Sequence, residues 1–72
     1  MAEEVRAEMV ANVWKVLVAE GDAVVDGDTL VILESMKMEI PVASPAAGKV
    51  KTILVTLDEV IAEGQAVAII ET

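Results

Sequence analysis

Val13-Trp14-Lys15-Val16-Leu17-Val18-Ala19-Glu20-Gly21-Asp22 opens a stretch that the chain repeats: residues 13–34 align with residues 50–71 at an offset of 37, without a gap. Val13 matches Val50, Leu17 matches Leu54, Val18 matches Val55, Gly27 matches Gly64, Ile32 matches Ile69 and Glu34 matches Glu71. Conservative pairs fill the intervals, among them Val16 with Ile53, Asp22 with Glu59, Val24 with Ile61, Asp26 with Glu63 and Leu30 with Val67. A duplicated unit of this size is a supersecondary piece that must pack on its copy to close a core.

The repeat has a β texture. Turn signals recur at Glu20-Gly21-Asp22, Asp26-Gly27-Asp28, Ser44-Pro45-Ala46-Ala47-Gly48 and Glu63-Gly64-Gln65, and β-branched runs lie between them: Val13 to Val18, Thr29 to Leu33, Val50 to Val55 and Val67 to Ile70. Many short strands with regular punctuation predict an all-β barrel or sandwich. Strict alternation fails, because Val13, Val16 and Val18 step by three and then two, as do Val50, Ile53 and Val55. Such spacing in both copies implies a β-bulge or strands apolar on both faces. Thr56 to Gln65 has the pattern of one amphipathic helical turn. Its counterpart Ala19 to Asp28 contains two glycines, so the pair is expected as loop and short strand. Residues 1–72 are expected to form one domain, with residues 1–4 a frayed tail.

A chain of 72 residues buries only about 60% of its unfolded surface, so its core must be dense in aliphatics. Apolar residues make up 56% of it, and Trp14, the only aromatic, is expected to pack at the surface. With no cysteine and no histidine, disulfides, thiolate zinc sites and Ser-His or Cys-His nucleophile pairs are excluded. No nucleophile–base pair or metal cluster can be assembled from what remains, so an enzyme is not expected. Five basic residues and a net charge of −8 argue against nucleic acid and against anionic membrane surfaces. The acidity serves solubility, or steers the chain onto basic docking surfaces of partner enzymes. No stretch without a charged residue exceeds nine, Ile40 to Gly48, where a membrane helix needs about 20. Glu3 and Glu4 after Met1 do not resemble the basic start of a signal peptide. These features are compatible with a cytoplasmic location.

Between the two copies lies Glu34-Ser35-Met36-Lys37-Met38-Glu39. Glu34 ends one strand and Ile40-Pro41-Val42 begins the next extended stretch, which places Met36 and Lys37 at the tip of a hairpin spanning 34–40. Tight hairpins ordinarily take Asn-Gly, Asp-Gly or a glycine there, and none is present. A local rule broken at an exposed turn often marks function. Lys37 offers a primary amine on a flexible stem, suited to covalent modification. From the residues alone, an ordinary solvated lysine remains an alternative, as does adaptable core filling by Met36 and Met38.

Glu34-Ser35-Met36-Lys37-Met38-Glu39 resembles the attachment signature of biotinyl domains, usually Glu-Ala-Met-Lys-Met, with Ser35 in place of Ala. The likeness covers essentially the whole chain. Gly21-Asp22-x-Val24-x-x-Gly27-Asp28-x-Leu30 precedes the lysine and Ala47-Gly48-x-Val50 follows it, as in biotin/lipoyl attachment domains and small free-standing bacterial biotinylated proteins. The resemblance implies a flattened barrel-sandwich of two four-stranded antiparallel sheets related by a pseudo-twofold axis, with the lysine hairpin at one end and both termini at the other. It implies biotin on Lys37, attached by a biotin–protein ligase, and a swinging arm that carries a carboxyl group from a biotin carboxylase to a carboxyltransferase. In that reading the domain is a carrier, expected to be monomeric when isolated, and Met36 and Met38 aid ligase recognition and restrict how the biotinyl arm moves, within the Glu34, Ser35 and Glu39 hairpin. Lipoyl domains carry Asp-Lys-Ala at this place, so the methionine bracket favours biotin; a lipoate carrier and an unmodified docking module are the alternatives. Three departures stand out. Ala11 and Asp58 occupy positions usually held by Gly, and Trp14 to Gly21 leaves no room for the protruding thumb of some acetyl-CoA carboxylase carrier subunits.

Overall fold

The computed structural model describes residues 1–72 and contains eight strands and no helix. They are β1 (Ala2–Arg6), β2 (Ala11–Val16), β3 (Ala23–Val24), β4 (Thr29–Ser35), β5 (Met38–Ala43), β6 (Gly48–Ile53), β7 (Val60–Ile61) and β8 (Ala66–Glu71). One antiparallel sheet has the order β1-β8-β6-β3 and the other β5-β4-β2-β7. The offset of 37 carries β2 onto β6, β3 onto β7 and β4 onto β8, and relates β1 to β5 as well. One repeat does not make one sheet: each sheet draws strands from both halves of the chain, so neither half can close the core alone. With no helix present, none is long and apolar enough to cross a membrane.

The broken alternation has its cause in paired bulges. The β2–β4 register shifts between Val13 and Lys15, and the β6–β8 register shifts between Val50 and Thr52. An extra residue on the bulged strand resets which side chains face inward. Val13 and Val50 are thereby fully buried, and Val16 and Ile53 still pack against the core three residues on. That core contains aliphatic side chains only, with the paired positions Val24 and Ile61, Leu30 and Val67, and Leu33 and Ile70 at its centre.

Four turns repeat one hydrogen-bonding device. The backbone N–H groups of Ala19 and Val25 donate to the carboxylates of Asp22 (2.8 Å) and Asp28 (2.9 Å), and those of Thr56 and Ala62 donate to the side chains of Glu59 (3.0 Å) and Gln65 (3.1 Å). The third residue of each turn has positive φ: Gly21 94°, Gly27 94°, Asp58 67° and Gly64 84°. Asp58 thus adopts the left-handed conformation in place of the usual glycine, as Asp tolerates better than most residues. The stretch Thr56 to Gln65 is two such turns around the short strand β7, as expected, and not a helix.

The expectation of a frayed tail over residues 1–4 is corrected. Ala2, Glu3 and Glu4 pair in register with Glu71, Ile70 and Ile69. Thr72 N–H donates to the Met1 carbonyl (2.7 Å), and the Met1 ammonium donates to the Thr72 carbonyl (3.1 Å). Of the strand's side chains only Val5 is buried, so the sequence offers no apolar pattern. The ordering comes from backbone hydrogen bonds that cover the edge of β8.

The termini gather with Gly48, whose missing Cβ leaves space for the backbone carbonyl of Glu71, and with Val24, which pairs with Gly48. Ser44, just past the end of β5, exchanges backbone hydrogen bonds with Gly27 (2.9 Å) and Asp28 (2.7 Å) at the same end. The β4–β5 tip therefore lies the length of β5 away, about 20 Å at 3.3 Å per residue.

Candidate functional site

β4 and β5 form the longest ladder of their sheet, pairing Ile32 with Pro41, Leu33 with Ile40, Glu34 with Glu39 and Ser35 with Met38. The loop is therefore two residues, Met36 and Lys37, with φ of 53° and 65°. Positive φ at both central positions is the signature of a type I′ turn, whose twist matches the flanking strands and which favours Asn-Gly. A side chain with a Cβ costs about 1–2 kcal/mol in that conformation, so two adjacent ones make the tip a strained point. Beneath it, Glu34 and Glu39 stand directly opposite each other, an arrangement of like charges that weakens a strand pair. The hairpin breaks two local rules within six residues.

The strain displays the tip side chains. Met36 is 92% exposed and Met38 65%, which rules out core filling for both. Lys37 is exposed and enters neither of the two ion pairs, which are Arg6 with Glu4 and Lys51 with Glu71, nor any side-chain hydrogen bond. Lys15 lies 4.5 Å from the Trp14 ring centre, giving both a surface packing role. Lys49 is also unpaired, but it sits within the β6 ladder at the end that holds the termini. Lys37 alone combines a free amine with a hairpin tip. Glu34 and Glu39 are exposed and Ser35 is half-buried, so all six residues singled out in the sequence come together on one hairpin. No group of three or more acidic side chains is placed to hold a metal ion.

Sequence reasoning missed two features. The Glu34–Glu39 opposition follows from a two-residue loop, and it was legible once the loop length was known. The second is a shallow groove of about 240 Å³ beside the tip, to which Val10, Asn12, Glu34, Ser35, Met36 and Val60 contribute. Its signal was divergence between the repeats, since Val10 and Val60 correspond to Ala47 and Ala23.

A family model described as biotin-requiring enzyme, Biotin_lipoyl, matches residues 3–70. The chain belongs to the Biotin_lipoyl family. It is 54% identical over 70 residues to a biotinylated protein TB7.3 homolog of Mycobacterium leprae, a match covering 97% of this chain and 99% of that one. Among solved structures it resembles part of the Kluyveromyces lactis urea carboxylase, with a TM-score of 0.94 and 37% identity, covering 99% of this chain and 6% of that chain. It also resembles part of a single-chain, multi-domain long-chain acyl-CoA carboxylase, with a TM-score of 0.88 and 32% identity, covering 94% of this chain and 7% of that chain. The chain thus spans a small fraction of either carboxylase. The Biotin_lipoyl fold expected from the sequence, two four-stranded antiparallel sheets with an internal repeat, is the one observed. Asp58, at the position that Gly21 holds in the first repeat, keeps the positive φ of that turn.

Proposed function

We propose that this Biotin_lipoyl domain carries biotin covalently on Lys37 and serves as the carboxyl carrier of a biotin-dependent carboxylase or decarboxylase system, without catalysing a step itself. The observation that carries the reading is the free, exposed amine of Lys37 on a strained two-residue tip between two exposed methionines. The 54% identity to a biotinylated protein supports the choice of group. Residues 1–72 act as a single carrier domain.

In the attachment step the lone pair of the Lys37 Nζ attacks the acyl carbon of biotinyl-adenylate held by a biotin–protein ligase. The C–N amide bond forms, the bond from acyl carbon to phosphate oxygen breaks, AMP leaves, and the proton lost from the amine passes to a base of the ligase. The chain contributes position: the type I′ turn projects Lys37 beyond the barrel, and Met36 and Met38 give the ligase apolar contacts on either side of it. Bound biotin supplies a ureido nitrogen that accepts and releases a carboxyl group. The hairpin holds the tether about 20 Å from the termini, by the strand rise, so the arm sweeps the enzymes' sites without obstruction from the rest of the barrel. Partners of this kind are a biotin carboxylase and a carboxyltransferase, and the −8 net charge favours basic docking surfaces on them. The domain acts as a monomer. Nothing in the hairpin favours lipoate.

Intact-mass spectrometry after co-expression with a biotin–protein ligase tests the assignment. A single biotinyl adduct is expected on the unaltered chain and none on Lys37→Arg, whose thermal midpoint should be unchanged because an exposed, unpaired side chain has been replaced. An adduct retained in that variant, or mapped to Lys15, Lys49 or Lys51, refutes the site.

A further inference from the structure

The internal repeat makes one end of the molecule a control for the other. The backbone around the tip, β2's start, β7 and the end of β4, recurs at the opposite end as β6's start, β3 and the end of β8. At the terminal end the corresponding positions hold Ala47, Lys49, Ala23, Glu71 and Thr72; at the lysine end they hold Val10, Asn12, Val60, Glu34 and Ser35. The lysine end has thus gained apolar bulk at exposed sites, Val10 at 61% and Val60 at 66% exposure. Burial cannot explain large apolar side chains kept in water when the same backbone carries alanine elsewhere. These residues line the groove beside Met36. The larger groove, by contrast, is lined by residues of β1 and β5, among them Val5, Arg6, Val42 and Ala43. Those strands are repeat mates, so that groove belongs to the symmetry of the fold.

We propose that the groove formed by Val10, Asn12, Glu34, Met36 and Val60 is a resting site for the biotinyl arm on Lys37. The inference rests on the attachment reading above. One wall residue, Met36, is adjacent to Lys37 in the chain, so a group tethered there reaches the groove by folding back over β4. The chemistry is complementary: Val10, Met36 and Val60 offer apolar surface for the alkyl chain and the thioether ring. Asn12 and Glu34, which pair across β2 and β4, supply acceptors for the two ureido N–H groups, and Asn12 supplies a donor for its carbonyl. This gives the Glu34 carboxylate a use, since placing it opposite Glu39 weakens the hairpin but leaves an acceptor in the groove for an N–H-bearing ligand. A chain without a protruding thumb would in this way keep its arm folded until an enzyme draws it out.

The test compares amide NMR spectra of the unmodified and biotinylated domain, with the adduct confirmed by mass. Shift changes are expected at Val10, Asn12 and Val60 as well as at residues 35–39, and Val10→Ala with Val60→Ala, the residues of the other repeat, should abolish the remote shifts while the adduct remains. Side-chain order at the arm should fall in the same variant. Shifts confined to residues 35–39 on a biotinylated chain overturn the resting site and leave the attachment reading intact. The same confinement with several-fold slower adduct formation in the double variant assigns the groove to ligase docking, and also overturns it. Absence of any adduct at Lys37 overturns both readings.

Discussion

Replacing Met36 and Lys37 by Asn and Gly should stabilise the domain while removing its carrier function. The two residues have φ of 53° and 65°, each costing about 1–2 kcal/mol for a side chain with a Cβ. Asn enters the left-handed region more readily, and Gly does so without steric cost but adds about 0.5–1 kcal/mol of backbone entropy to the unfolded chain. Little burial is lost, because Met36 is 92% exposed and Lys37 is exposed too. The balance is a gain of about 1–2 kcal/mol. For a domain of this length that raises the thermal midpoint by roughly 5–10 °C.

Urea unfolding should show a higher midpoint at an unchanged slope, which assigns the gain to the native tip. The control is Met36→Ala with Lys37→Ala, which keeps both Cβ atoms and should move stability by less than about 0.5 kcal/mol. If the Asn-Gly variant is no more stable than the control, the tip is not strained and its displayed side chains have another cause.

Two further substitutions examine the repeat itself. Gly48→Ala would drive a Cβ into the backbone carbonyl of Glu71, and a loss of about 1–3 kcal/mol is expected from the forced shift; thermal unfolding with a midpoint unchanged from the parent would refute that contact. Asp58 holds φ at 67° where its counterpart is Gly21, so Asp58→Gly should gain up to about 1 kcal/mol, read by the same denaturant titration, and a loss would show that the Asp side chain contributes more than its backbone costs.

Much of the fold was legible because the duplication carries the same information twice. The bulges at Val13–Lys15 and Val50–Thr52 left a step of three and two in both copies, a pattern a single copy would not have distinguished from noise. Three of the four turns were marked by a glycine at the third position, Gly21, Gly27 and Gly64, followed by the side chain that closes the turn; the fourth, with Asp58 in that position, carried no such mark. β1 was not legible, because a strand with one inward side chain, Val5, is held by its backbone pairing to β8 and has no apolar period. The hairpin's position was clear, whereas its positive φ values were not. Met and Lys are the wrong residues for a type I′ turn, and only the ladder from Thr29 to Ala43 forces them into it. The groove escaped notice because the exposure of the apolar side chains of Val10 and Val60 shows only in the folded chain.

The repeat arithmetic yields one more expectation. Ser35 and Met38 flank the tip, and their counterparts at the offset of 37 are Thr72 and Met1, which already exchange two hydrogen bonds. The missing piece there is a two-residue loop equivalent to Met36-Lys37. Joining Thr72 to Met1 through Asn-Gly gives a closed ring of 74 residues, twice the offset between the copies. Such a ring needs no new backbone geometry, and Asn-Gly meets the type I′ requirement that the natural tip violates. By the loop-entropy relation used for cross-links, closure at this length is worth up to about 4 kcal/mol, so a rise in the thermal midpoint of more than about 10 °C is expected. Biotinylation at Lys37 should proceed as before, since the closure lies at the other end of the barrel. A one-residue linker breaks the period and should give less. If it performs as well as Asn-Gly, the two ends do not share one backbone geometry, and the use of the terminal end as a control for the lysine end fails with it.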